Sequence, residues 1–116
     1  MSGYEAPLWE QITEARRMLD IALKECKERG SRMVVAKATY YSVKTRNAFA
    51  LREDGYPVTF IQEVIKGMPE VNKAMTEFNA AEVEYENARE ARNVWKKHLD
   101  TLREQYSREW AQAKEE

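Results

Sequence analysis

Few residues in this chain have side chains suited to chemistry. His98 is the sole histidine and Cys26 the sole cysteine, so neither a disulfide within the chain nor a Cys/His metal cluster can form. A general base must sit beside a group it can activate, yet His98 follows Lys96 and Lys97 with no such partner in sight. No Glu-x-x-His pair is present to build a helical two-metal site. His98 therefore reads as a solvated or flank-packed side chain. Glu82, Glu84, Glu86 and Glu90 crowd carboxylates together, but no second acidic cluster answers them, so they read as a solvated face. Neither a glycine-rich phosphate loop nor a nucleophile elbow occurs. Arg29, Lys37 and Arg46 are of the type used by small helical chorismate mutases, but they match no motif of those enzymes. The expectation is a protein that is not an enzyme, with no cofactor and no metal.

Charge offers one further possibility. Between Arg29 and Arg52 stand six basic residues (Arg29, Arg32, Lys37, Lys44, Arg46, Arg52) and no acidic one. With Tyr40 and Tyr41 among them, Lys37, Lys44 and Arg46 are the candidate nucleic-acid contacts, since cations neutralise phosphates and aromatic rings stack on bases. Against this, the whole chain has a net charge of -1, whereas a dedicated phosphate-binding surface carries a positive excess. The stretch from Gly67 to Glu90 is acidic, with Glu70, Glu77, Glu82, Glu84, Glu86 and Glu90 against Lys73 and Arg89. If the chain turns back near residue 60, the two stretches lie side by side and neutralise each other.

The elements that would position these residues are long helices. Alternating steps of four and three from Leu8 reach Ile12, Ala15, Leu19, Ala22, Cys26, Arg29, Met33, Ala36, Tyr40, Val43, Asn47 and Ala50. Only Arg29 and Asn47 interrupt this apolar seam, and Cys26 falls on it as a small core residue. Phe78, Ala81, Tyr85, Ala88, Ala91, Trp95, Leu99, Leu102, Tyr106 and Trp110 form a second seam with the same helical period. The spacing predicts helices over 7–52 and 69–113, with Pro7 and Pro69 in their first turns. Gly30 is the one weak point inside the first, read as a kink, and a true break of the helix there is left open. Gly55 can take the left-handed conformation that ends a helix. A short corner helix is predicted over 59–66, with Thr59 as N-cap and Gln62 as its capping-box partner.

One domain, residues 1–116, is expected, with an all-α fold: a long, coiled-coil-like antiparallel helical hairpin with a corner helix. Trp9 would then meet Trp110 and cap the open end with aromatic rings. With 34% charged residues and a mean hydropathy of -0.77, the core per chain is thin, so dimerisation into a helical bundle is expected. Trp9, Leu23, Val34, Tyr41 and Phe49 supply a second stripe for it. No apolar run approaches the roughly 20 residues of a membrane span, and no signal peptide opens the chain, so no membrane partner and a cytoplasmic location are expected.

The corner carries aromatic and apolar residues on irregular backbone. Phe60, Ile61, Val64 and Ile65 are expected to cap the hairpin, leaving Tyr56, Lys66 and Met68 outside as candidate partner contacts. Here the residues also support a likeness. In Gly55-Tyr56-Pro57-Val58-Thr59, Lys66-Gly67, Phe78-Asn79-Ala80-Ala81-Glu82-Val83-Glu84-Tyr85 and Arg108-Glu109-Trp110, the chain resembles small uncharacterised helical proteins of bacteriophages and prophages of Gram-positive bacteria. The resemblance spans about residues 35 to 110. It implies a phage context and a hairpin, and it transfers no catalytic residue. The functional expectation is a non-enzymatic interaction protein of the bacterial host cytoplasm. It would self-associate, as a homodimer or higher, and bind a host or phage protein. The alternative is a nucleic-acid-binding accessory of phage replication or recombination.

Overall fold

A computed structural model describes residues 6–115. The chain forms three helices, α1 (Leu8–Glu53), α2 (Val58–Lys66) and α3 (Pro69–Glu115). The fold class is an all-α antiparallel helical hairpin with a short corner helix, and among the described residues there is no strand. The chain divides into two compact units. One pairs α1 through Lys27 with α3 from Asn87 onward, and the other is Glu28–Glu86.

In the first unit, Ala15, Leu99 and Leu102 form the core, and Leu8, Ile12, Leu19 and Trp95 pack against them. Ala22, Cys26 and Ala88 are also buried. Small side chains at these positions let two helix axes approach closely, which is why alanine and cysteine stand where a coiled coil more often carries leucine. Cys26 is a buried free thiol. Arg92 Nη1 lies 3.7 Å from its Sγ. Trp9 and Trp110, expected to seal the end together, are instead 61% and 59% exposed. Neither is packed as a core residue, because the buried positions on α3 end at Leu102.

In the second unit, Ile61 and Ile65 of α2, one turn apart, join Val71 of α3 in a core. Tyr40, Val43, Ala48 and Leu51 of α1 pack against it. The recruitment of Ala48 and Leu51 turns α1 away from its strict seam at its C-terminal end: Leu51 is half-buried and Ala50 exposed. Arg29 Nη1 donates to Glu84 Oε2 at 2.8 Å, and Arg46 donates to Glu70. Basic α1 thus lies beside acidic α3, as the charge pattern predicts. Asn47 Nδ2 donates to the Val43 carbonyl at 2.8 Å and to Glu70 Oε2 at 3.3 Å, so the polar break in the seam is satisfied.

The seam of α3 differs from the apolar reading at Ala91 and beyond Leu102, where Tyr106 and Trp110 are exposed. Val71, Ala74, Phe78, Ala81, Tyr85, Ala88, Arg92, Trp95, Leu99 and Leu102 are all buried or half-buried, in unbroken alternation of three and four. Arg92 occupies the place assigned to Ala91, which is exposed. Arginine serves there because its methylene stem can cover apolar surface while its guanidinium donates to Cys26 Sγ at 3.7 Å and to Asn93 Oδ1 at 3.4 Å.

The ends follow from proline and glycine. Pro7 precedes α1 and its carbonyl accepts from Glu10 and Gln11 at 2.9 and 3.1 Å. Pro57, at φ -64° and ψ 147°, is the N-cap of α2. Its carbonyl takes the amides of Phe60 and Ile61, both at 3.0 Å. The expected Thr59 cap is therefore not made: Pro57 starts the helix early and places Thr59 inside its first turn. Gly55 has φ +92°. Its amide reaches the Arg52 carbonyl at 3.0 Å and that of Tyr56 reaches Leu51 at 3.2 Å, the paired bonds of a Schellman ending. Through Gly30, by contrast, α1 runs unbroken. A Cβ added at Gly30 would stand 3.2 Å from Tyr85 Cε1, so the glycine makes room for a ring.

Leu99 is 3% exposed. Leu99→Ala is expected to cost about 2 to 5 kcal/mol, and Leu99→Asp to abolish the cooperative melt followed by far-UV circular dichroism. Gly30→Ala is expected to stabilise by about 0.5 to 1 kcal/mol in a Tyr85→Ala background and by less in the wild-type chain, where the new methyl meets the ring. Urea unfolding of the four proteins checks this.

Candidate partner-binding surface

The corner exposes apolar side chains because Asp54 to Pro57 is too short and irregular to bury them. Tyr56 and Phe60 stack on each other with ring centroids 5.6 Å apart and planes inclined by 17°. Phe60, expected to cap the core, is 50% exposed, and Val58 is exposed beside it. The physical reason is helical spacing: Ile61 and Ile65 already occupy the inward face of α2, so Phe60, one residue before Ile61, points about 100° away. Lys66 is exposed and its Nζ lies 3.5 Å from Glu63 Oε1. Met68, expected outside, is half-buried and packs against the core of Ile61, Ile65 and Val71. It is drawn in because the chain must turn straight into α3, with the Met68 carbonyl accepting from Asn72 at 2.9 Å.

Inside the same unit lies a groove of about 950 Å³. Ala48 of α1, Ile61 and Ile65 of α2, and Val71 and Met75 of α3 give it apolar walls. Tyr40, Tyr41, Lys44 and Thr45 line it from α1, and Gln62, Lys66 and Asn72 add polar groups. Tyr40 is fixed between neighbours, 5.3 Å from Tyr41 and 6.1 Å from Phe78 by ring centroid. Lys44 Nζ lies 5.7 Å from the Tyr40 ring centroid, a cation-π contact. This groove was not legible as a site in the sequence. Its available signal was the run Tyr40, Lys44, Ala48, one face of α1 at four-residue steps, opposite the similarly spaced Ile61 and Ile65.

The three candidate nucleic-acid residues have different surroundings. Arg46 is bonded to Glu70 and Lys44 lies over Tyr40, while Lys37 is exposed. His98 is exposed, with its ring edge-on to Trp95 at 5.8 Å. Glu82, Glu84, Glu86 and Glu90 are all exposed on α3. Among the described residues, no group of three or more His, Cys, Asp or Glu side chains is placed to hold a metal ion. In the other unit, Arg17 donates to both carboxylate oxygens of Glu14, at 3.0 and 2.5 Å. Those bonds hold the pKa of the Glu14 carboxyl below its usual range, in an exposed pair on one helix face. No helix among the described residues is long and apolar enough to cross a membrane.

Compared with known proteins, the chain matches no family model, and no curated protein or solved structure is significantly similar to it.

The corner divides into surface and support, and substitution should separate them. Tyr56→Ala and Phe60→Ala are expected to leave the helical signal intact and shift the melting midpoint little, because both rings are already wet. Ile65→Ala, at a position 4% exposed, is expected to lose about 2 to 5 kcal/mol in the same melts.

Proposed function

We propose that this is a non-enzymatic interaction protein, of the phage or prophage kind its sequence resembles, that self-associates and binds a host or phage protein in the host cytoplasm. The observation that carries the reading is the placement of the large apolar side chains. Of the ten buried core residues among those described, four are alanine and one is cysteine. Outside are Trp9, Leu23, Val34, Val35, Tyr41, Phe49, Val83 and Val94, each exposed. A chain with more bulky apolar side chains on its surface than in its core gains stability from covering them.

The outer face of α1 in the second unit is the natural self-association surface. Val34 and Phe49 are 62% and 63% exposed, and Tyr41 lies between them in sequence. Near Phe49 the face has a shallow depression lined by Tyr41, Ser42, Thr45 and Arg46. The stacked Tyr56 and Phe60, with Val58, form the corner surface offered to a different protein. The nucleic-acid reading has less support, since Arg46 is already paired with Glu70 and the whole chain has a net charge of -1.

Light scattering on a size-exclusion column, over a range of protein concentrations, tests self-association. The expected outcome is a mass above that of one chain that rises with concentration. Val34→Lys with Phe49→Lys should lower that mass while leaving the far-UV spectrum unchanged. A one-chain mass throughout rejects self-association.

A further inference from the structure

We propose that the groove between α1, α2 and the start of α3 is the docking site for an acidic amphipathic helix of a partner protein. The inference rests on the reading of the chain as an interaction protein and names the chemistry of what it binds.

Charge selects the sign of the occupant. Acidic residues slightly outnumber basic ones in the whole chain. Yet the residues lining the groove include Lys44 and Lys66 and no carboxylate. Neither ammonium is locked in place. Lys66 has only the 3.5 Å contact with Glu63, in which both side chains are about three-quarters exposed. Such exposed pairs contribute little and exchange readily. Lys44 rests over a tyrosine ring, which leaves its N–H donors able to meet a carboxylate.

The floor selects the other face. Exposed Val58 and Met75 and half-buried Ala48 present apolar surface to the groove, above the buried Ile61, Ile65 and Val71. A ligand that covers this surface and meets Lys44 and Lys66 must offer an apolar stripe flanked by carboxylates, which is the pattern of an acidic amphipathic helix. Length agrees with this. The α1 wall runs from Tyr40 to Ala48, about 12 Å at 1.5 Å per residue. Anchors at i, i+3 or i+4, and i+7 span about 10.5 Å, so a two-turn segment fits the wall. All three walls are helices, and among the described residues no strand offers an edge for an extended peptide to join.

The test uses the full chain and a fluorescein-labelled synthetic peptide with leucines at i, i+3, i+4 and i+7 and glutamates at the positions that flank this apolar stripe, where they can reach Lys44 and Lys66. Anisotropy titration is expected to give saturable binding, with the lysine-for-glutamate peptide at least about tenfold weaker. Lys44→Glu with Lys66→Glu should weaken the acidic peptide by a similar factor, and Lys44→Gln with Lys66→Gln by less. Met75→Ser, which removes apolar surface from the groove wall without adding charge, should also weaken it, whereas Tyr56→Ala should not. Circular dichroism on each variant confirms the fold. Equal binding of both peptides, indifference to the groove variants, or saturation by sodium dodecanoate without any peptide binding overturns the proposal. Light scattering on the same samples keeps the two readings apart: a one-chain species that binds the acidic peptide through Lys44 and Lys66 sustains this site while rejecting self-association. An associated species that ignores the peptide does the reverse.

Discussion

Everything else in this protein depends on the need to cover one narrow apolar stripe on each long helix. A lone helix cannot bury a seam that repeats every three and a half residues; it needs a second helix laid along it. Here the partner is supplied by the same chain. Ala15, Ala22, Cys26, Ala74 and Ala88 keep the buried surface small and the backbones close. The polar residues on the seam are tolerated because each reaches a partner or the surface. Arg29 meets Glu84, Asn47 meets Glu70 and its own helix backbone, and Arg92 extends past Cys26. A shifted register would leave these groups without such contacts, so they favour one pairing over its neighbours at some expense in stability.

A core of small side chains has a direct consequence for the surface. Apolar residues beyond the stripe have nowhere to go, and so Val34, Val35, Phe49, Val83 and Val94 face water. Single exposed apolar residues are ordinary in folded proteins. The recurrence of Val34, Val35 and Phe49 along α1, beside the shallow depression around Tyr41 and Phe49, is the basis of the proposal that this face is a place of association.

The corner translates local backbone chemistry into a feature with depth. Gly55 ends α1 in a conformation that other residues adopt with strain, Pro57 begins α2, and Pro69 begins α3. Those three residues make α2 a two-turn helix of fixed length. Its inward pair, Ile61 and Ile65, then packs against Val71, Tyr40 and Val43. The groove results from this packing: a helix only nine residues long covers part of the face that α1 and α3 present, and the uncovered remainder is walled by Tyr40, Lys44, Ile65 and Met75.

The sequence by itself determined the all-α class, the two long helices, the corner between them and the facing of basic α1 by acidic α3. These are consequences of periodicity, proline and glycine placement and charge order, all of which act over a few residues or along one helix. It also located Cys26 in the core, for the same reason. Only the tertiary structure decided that α1 passes Gly30 without breaking, because the ring that justifies the glycine, Tyr85, comes from another helix. It likewise decided that Arg92 and not Ala91 lies on the seam, since hydrophobicity favours the alanine and only the fixed alternation of contacts favours the arginine. Met68 turned inward and the groove at Lys44 emerged for one shared reason. Each depends on how three helices meet, and a meeting of residues far apart in the chain leaves no periodic trace in any one of them.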